Sequence, residues 1–568
     1  MSYKITETFR PRIFECLKNY TKAQFSQDAM AGVIVGIVAI PLAIAFGIAS
    51  GVGPTEGLIT AIIAGLIISL LGGTKVQIGG PTGAFIVIIY GIIQQFGLGG
   101  LMIATIMAGI MLIIMGFARL GSIIKFVPYP VIIGFTGGIA LTIFSTQMND
   151  FFGMGIKNVP AGFIEKWMCY FDNLGSINWT AFAVGAVSLF IIIFTPKVSK
   201  KIPGSLVAII IVTLGVWLLK RYAGLTGIAT IADLYDLPSG IPAPSLPEVN
   251  VAEGETLWTV IRSLVPAAFT IAMLGAIESL LSAMVVDGVI SDKHNSNTEL
   301  IGQGVANLVA PFFGGIPATG AIARTMTNVN NGGRTPIAGV IHAVVLLLVL
   351  LFMGPFVGLI PMPCLAAVLI VVAYNMSGWR TFVSLAKGPR SDFAVLIVTF
   401  VLTVIFDLTI AIEVGLLLAI VLFLKRTSEA VSIRHFQNEL DPSLETDIHL
   451  ADDERLVIPK GVDVYEIDGP YFFGIANKFD EIMSRTASKP KVRIIRMRRV
   501  PFMDSTGIHN LEVLVTQSKK EKIEIVLSGV KPQVRKSLED TGFTRLLSAE
   551  NICDNIHIAL RRAAELVK

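Results

Sequence analysis

Two short stretches decide the reading of this chain. Gly79-Gly80-Pro81-Thr82-Gly83-Ala84 opens the apolar run 82–96, and Gly314-Gly315-Ile316-Pro317 precedes the run 319–330. In each, a Gly/Pro cluster that interrupts regular structure is followed at once by a short helical pattern. Each predicts a segment that enters as extended backbone and becomes helix part-way along. A membrane-spanning helix takes about 20 mostly apolar residues. Working outward, spans read near 30–48, 55–71, 82–96, 100–118, 124–147, 180–196, 203–220, 262–284, 298–313, 319–330, 337–354, 361–374, 391–406 and 409–424. The two interrupted segments are the third and the tenth, equivalent positions in two halves of seven. Seven is odd, so the second half lies inverted relative to the first. The expected fold is a polytopic α-helical membrane protein of fourteen spans, a seven-plus-seven inverted repeat, followed by a soluble α/β domain.

Composition agrees. Of 568 residues, 53% are hydrophobic and 15% charged, with a mean hydropathy of +0.72. Soluble domains carry about 25% charged residues, which excludes a single soluble domain and a disordered chain. Residues 1–425 hold 23 Lys and Arg with 19 Asp and Glu, 10% of that stretch; residues 426–568 hold 22 of each, 31%. The expected domains are an N-terminal segment 1–28, a transmembrane domain 29–425, a linker 426–454 and a soluble domain 455–568. The balanced tail argues against nucleic acid as a partner. Cys16, Cys169, Cys364 and Cys553 lie far apart, with no spacing for a metal site, a redox motif or a disulfide framework, and no cofactor is expected. No apolar signal-peptide core precedes Met30. With the N-terminus (Lys4, Arg10, Arg12, Lys18, Lys22) inside, the inner loops carry eleven basic residues and the outer loops four. Basic residues collect on the cytoplasmic side, so both termini are expected there.

Paired interrupted segments in matching halves mark a transporter's binding site. Free N–H groups and the positive end of the helix dipole attract an anion. The backbone at Thr82, Gly83 and Ala84 and at Gly320, Ala321 and Ile322 is therefore the expected anion site; the plainer alternative is two Gly/Pro-kinked helices. Few charges lie deep in the spans. Glu278, with Ser282 one turn on, and Arg324 in the broken tenth segment are site candidates because an intramembrane charge is costly. Arg324 is expected to offset the anion's charge. Glu278 pairs with Arg324 or takes up a co-transported proton or cation; a purely structural ion pair is the alternative. Asp407 reads as a helix cap, Glu56 as solvated, and His342 as a packed histidine with no role.

These residues resemble the SulP (sulfate permease) family of anion transporters, which includes the animal solute-carrier anion exchangers. The resemblance rests on Ala39-Ile40-Pro41-Leu42-Ala43-Ile44-Ala45-Phe46-Gly47, on Gly79–Ala84, on His294-Asn295-Ser296-Asn297-Thr298-Glu299-Leu300 with Gln303, Gly304 and Asn307, and on Gly332-Gly333-Arg334-Thr335. It implies a core domain (segments 1–4 and 8–11) moving as an elevator against a gate domain (5–7 and 12–14), usually in a homodimer, in a bacterial inner membrane. Bicarbonate-carrying bacterial members tend to have Asp at the Glu278 position, no Arg at the Arg324 position, and sodium coupling. The residues here favour proton coupling or exchange. The chain also resembles members that move four-carbon dicarboxylates, and that resemblance implies such a substrate.

In the tail, Val462–Ile467, Val492–Met497 and Ile523–Leu527 read as strands; 475–486, Gly507–Lys520, Pro532–Asp540 and Ile552–Leu566 read as helices. The pattern resembles the STAS domain of anti-sigma-factor antagonists, whose signature loop matches Pro501-Phe502-Met503-Asp504-Ser505-Thr506-Gly507. There the serine matching Ser505 is phosphorylated, a regulatory site; the alternative is that Asp504 and Ser505 cap a helix. The basic run Lys491, Arg493, Arg496, Arg498, Arg499 reads as a solvated strand or a face towards anionic lipid.

The leading function is secondary active transport of a small anion: dicarboxylate, sulfate or bicarbonate. Alternatives are sodium-coupled bicarbonate uptake, an uncoupled channel, and a nucleobase transporter, against which Arg324 and the tail speak. No nucleophile–base pair supports an enzyme.

Overall fold

The structure, a computed structural model, describes residues 9–122, 128–156, 159–160, 162–198, 203–222, 224, 227–235, 240, 242–247, 256–406, 408–440, 456–475 and 490–568. The chain divides into two compact units, Met1–Ala419 and Ile420–Lys568.

The first unit is helical. Its main elements are α1 (Lys22–Ala49), α2 (Pro54–Leu71), β1 (Gly79–Gly80), α3 (Ile86–Phe117), α4 (Tyr129–Thr146), α5 (Trp179–Val198), α6 (Gly204–Tyr222), α7 (Leu257–Ile290), α8 (Ser296–Val309), β2 (Thr319–Gly320), α9 (Ile322–Asn330), α10 (Ile337–Phe352), α11 (Met362–Met376), α12 (Trp379–Ala386), α13 (Arg390–Ile405) and α14 (Leu408–Ala430). Among the described residues, eight helices are long and apolar enough to cross a membrane, and α10 is a shorter apolar helix. The expected third and fourth segments form one helix, α3, kinked at Gly97, whose φ of 66° admits glycine readily. α9 has nine residues, too few to cross by itself.

Local chemistry fixes several starts. Thr21 and Gln24 cap each other reciprocally at α1. Pro54 stands at the first position of α2. Asn295 Oδ1 accepts from Asn297 N and Thr298 N at α8. The helices pack in two groups: α1, α2, α3, α7, α8, α9 and α10 in one, and α4, α5, α6, α11 and α13 in the other. Outward faces carry Phe190, Phe194, Ile210 and Leu214, as expected where the solvent is lipid.

The second unit holds a five-stranded sheet: β3 (Ser432–Phe436), β4 (Val462–Asp468), β5 (Val492–Arg499), β6 (Glu524–Ser528) and β7 (Ile552–Cys553), in that order. β3 is antiparallel to β4 and the rest are parallel. Helices α15 (Ser505–Lys520), α16 (Pro532–Asp540) and α17 (Ile556–Val567) follow the strands. Two expectations are corrected. Residues 432–436, read as linker, supply the edge strand. The helix read from Ile552 begins at Ile556, because Ile552 and Cys553 pair with β6. The basic run is largely engaged: Arg496 meets Glu466 at 3.5 Å in the interior, Arg499 meets Asp468 at 2.7 Å, and Lys491 donates to the Val567 carbonyl. Lipid recognition is thereby reduced to what remains exposed. The cap at Asp407, residues 476–486 of the expected helix, the linker stretch 441–454, and Lys4, Lys125, Lys157, Lys200 and Lys201 lie outside the described residues.

Candidate functional site

The two interrupted segments meet. β1 and β2 pair antiparallel, Gly79 with Gly320 and Gly80 with Thr319. The crossing is buried, so its backbone polar groups must find partners within the protein. Side chains from several helices supply them. Thr325 Oγ1 accepts from Ile78 N at 3.1 Å, Asn328 donates to the Val76 carbonyl at 2.9 Å, and Thr60 Oγ1 accepts from Ile316 N at 2.7 Å. Asn307 brackets Ala318, accepting from its N–H and donating to its carbonyl, both at 2.8 Å. Gln77 donates to the Ser279 carbonyl at 3.1 Å, and Ser279 Oγ lies 2.6 Å from Thr319 Oγ1. Glycine is required at the contact itself: a methyl on Gly320 would overlap the Gln77 amide, and one on Gly80, where φ is +152°, would overlap Arg324.

After the strands come two helix starts without side-chain caps. Thr82 precedes the helical turn Gly83–Phe85 that leads into α3, and Ala321 precedes α9. Uncapped first-turn N–H groups are an anion-binding arrangement. Because the strands are antiparallel, these starts flank the crossing instead of meeting head on. Among the described residues, no backbone hydrogen bond occupies the N–H groups of Gly83, Ala84 or Ile322. The other half of the expected backbone site is narrowed. Gly320 N donates to Ser279 Oγ at 3.1 Å and Ala321 N to the Ile78 carbonyl at 2.9 Å; both are used in holding the crossing.

The charged residues are arranged differently from the expected pair. Among the described residues Glu278 and Arg324 form no ion pair. Glu278 Oε2 accepts from Thr82 Oγ1 at 2.9 Å. Arg324, 2% exposed, donates from Nη2 to the Pro81 carbonyl at 2.7 Å, and its Nη1 has no hydrogen-bond partner among the described residues. Its guanidinium thus lies behind β1, against Gly80. Ser282, expected beside Glu278, instead donates to Thr325 Oγ1 at 3.4 Å. Glu278 also lines a narrow cleft of about 40 Å³ with Phe135 and Thr136 of α4 and Leu416 of α14. That volume admits about one water.

The helix starts also differ in cover. A methyl built on Gly83 would lie 2.9 Å from Met376 Sδ, 3.2 Å from Ile143 Cδ1 and 3.6 Å from Phe46 Cε1. The start of α9 is open, with Ile322 41% exposed.

The sequence reading missed the polar scaffold: Gln77, Ser279, Thr319, Thr325 and Asn328. A signal was present, since amide and hydroxyl side chains recur in otherwise apolar segments, and helix-packed polar groups in lipid seek partners. The His294–Asn307 stretch was noticed only as a likeness. In the structure Glu299, fully buried, accepts from Gly73 N, Thr74 Oγ1 and Gln303 Nε2 at 2.8–2.9 Å. His342 is buried, with neither ring nitrogen hydrogen-bonded among the described residues. In the second unit Asp504, not Ser505, caps α15, accepting from Gly507 N at 2.7 Å; Ser505 is exposed at the first helical position.

Residues 25–399 match the sulfate permease family and residues 455–559 the STAS domain. YvdB of Bacillus subtilis (strain 168), provisionally named a sulfate transporter, is 42% identical over 542 residues, covering 95% of this chain and 98% of its own. The bicarbonate transporter BicA of Synechocystis sp. is 30% identical, covering 94% of each chain. The murine SLC26A9 anion transporter in its inward-facing state superposes with a TM-score of 0.85 at 18% identity, over 100% of this chain and 95% of that one, a likeness of fold. The chain belongs to the sulfate permease family, as a multi-pass membrane protein with a C-terminal STAS domain.

Proposed function

We propose that this protein carries a small oxyanion or carboxylate across the bacterial inner membrane by proton-coupled secondary active transport. One observation carries the proposal: two uncapped helix starts flank a buried strand crossing that has a cation, Arg324, behind it and a carboxylate, Glu278, hydrogen-bonded at its edge. The anion takes the N–H groups of Gly83 and Ala84 together with Ile322 of α9. Arg324 contributes positive potential through the crossing. An arriving anion competes for the Thr82 hydroxyl and repels ionised Glu278, so anion binding and protonation favour one another, reciprocally. The cleft beside Glu278 suits a proton better than a sodium ion, which needs several oxygen ligands.

We infer that the first helix group (α1–α3, α7–α10) is a core and the second (α4, α5, α6, α11 and α13), with α12 and α14 added, a gate, in a seven-plus-seven inverted repeat of fourteen spans that works as an elevator. We place both termini in the cytoplasm and the protein in a homodimer. Sulfate and bicarbonate are the favoured substrates, given the names of the relatives, and a dicarboxylate the alternative. Ser505, exposed at a helix N-terminus, is a phosphate-accepting regulatory position.

Uptake of labelled sulfate, bicarbonate and succinate into proteoliposomes tests this. An inward proton gradient should drive one of them uphill. Downhill flux alone, unaffected by proton or sodium gradients, would replace the transporter by a channel. Accumulation that requires sodium would replace the proton.

A further inference from the structure

A second cavity lies away from the crossing, where α4, α11, α12 and α13 meet. It measures about 440 Å³, within the size of ligand pockets, about 300–1,000 Å³. Its wall is almost wholly apolar: Ala140 and Phe144 of α4, Ala373 of α11 and Phe382 of α12. Its rim is amphipathic. Trp379 Nε1 donates to Tyr374 Oη at 3.1 Å, and both rings stand 47% and 60% exposed. Exposed Trp and Tyr mark the level of lipid headgroups. Arg380 lies over the Trp379 ring, 5.4 Å from its centroid. Arg380, Lys387 and Arg390 are all exposed and form no ion pair among the described residues. All three are among the basic loop residues that the sequence reading assigns to the cytoplasmic side. Asp392, the acidic residue of this turn, is partly buried and accepts from Ser391 Oγ.

We infer that this cavity binds one acyl chain of an anionic phospholipid, with its phosphate held by Arg380, Lys387 and Arg390. The apolar wall takes a chain, the Trp–Tyr rim suits headgroup depth, and the three cations form no ion pair among the described residues. Cytoplasmic leaflets carry anionic lipid that attracts such clusters. A second copy of this chain fits less well, because a two-fold contact sets the same patch against itself and would bring the cations together. The inference is independent of the transport reading.

The full chain in bilayers tests it, with bromine-labelled acyl chains as quenchers of tryptophan emission. The Trp379 signal is the difference between the native protein and W379F. Brominated phosphatidylglycerol should quench it several-fold more than equally dilute brominated phosphatidylcholine. Arg380→Gln, Lys387→Gln and Arg390→Gln together, all surface changes, should bring the two lipids to equality while quenching persists. Three results would overturn the inference: no quenching of Trp379 by either lipid, equal quenching by both in the native protein, or efficient Val383→Cys cross-linking between copies in the bilayer, which would make a second chain the occupant.

Discussion

The two halves of the crossing are alike in backbone and unlike in side chains. Each has two residues of strand, a Gly at the contact and an uncapped helix start. The β1 half offers no charge of its own, yet both charges attend it: Glu278 through the Thr82 hydroxyl and Arg324 through the Pro81 carbonyl. It is also the covered half, under Met376, Ile143 and Phe46. The β2 half donates Arg324 and spends its Gly320 and Ala321 N–H groups on the scaffold. The comparison teaches that backbone builds the place while side chains divide the labour: the second half braces, and the first is where both charged side chains bond.

The strongest test of that division is steric. Gly320→Val pushes into the Gln77 amide at the brace and should cost more than about 3 kcal/mol, the upper range of single substitutions. The folded yield should collapse in detergent gel filtration. Gly83→Ala meets the ends of flexible side chains instead; it should fold, with Tm nearly unchanged, and lose anion affinity. Equal damage at both would erase the distinction.

Arg324→Gln comes next. It leaves the Pro81 carbonyl short of its charged donor, about 1–3 kcal/mol for an unsatisfied buried group, and should weaken anion binding at least tenfold by calorimetry. Arg324→Lys should recover part of the affinity, because the charge acts through the crossing. Full recovery would make the guanidinium's fork irrelevant.

Glu278→Gln should flatten the pH dependence of uptake while anion exchange persists. Thr82→Val should move the pH profile without abolishing uptake, and Thr82→Ser should restore it. A native profile in Glu278→Gln would make the carboxylate structural. Met376→Ala uncovers the Gly83 start and should raise passive anion leak a few-fold, whereas Ile322→Ala at the open start should not.

The smallest effect belongs to a site remote from both halves. Asp233 is held below the usual carboxylate range by the Thr230 N–H, then by the Thr230 hydroxyl and Lys220. A depressed value stabilises the fold above the ordinary carboxylate range and is lost as pH falls through it. The pair is exposed, so Asp233→Asn should cost only about 0.5 kcal/mol, read as a small loss of Tm at neutral pH that vanishes in acid.

Much of the fold was legible because membrane helices announce themselves by apolar length, and every apolar run expected has a helix at its place in the structure. Gly97 was legible only as a gap between two runs. The edge strand β3 and the short β7 were not, since five-residue and two-residue strands take their identity from the neighbour they pair with. At the site, the Gly/Pro clusters were legible as breaks, and both segments do run from strand to helix there. A Glu278–Arg324 ion pair was one of two readings of the lone charges in lipid, and it is absent among the described residues because Thr82 and Pro81 offer each a partner.

Sequence alone determined that this chain enters a membrane, that two of its segments break before they become helix, and that a soluble domain follows. Those are local properties: apolar length, Gly and Pro, and charge density act within a few residues of themselves. Tertiary structure decided that the broken segments pair with each other, that Gly320 and Ala321 serve the scaffold, and that Arg324 stands behind the crossing with Glu278 at its edge. A buried polar group takes the closest geometrically suitable partner, and which partner is closest depends on chain brought together from some 250 residues away.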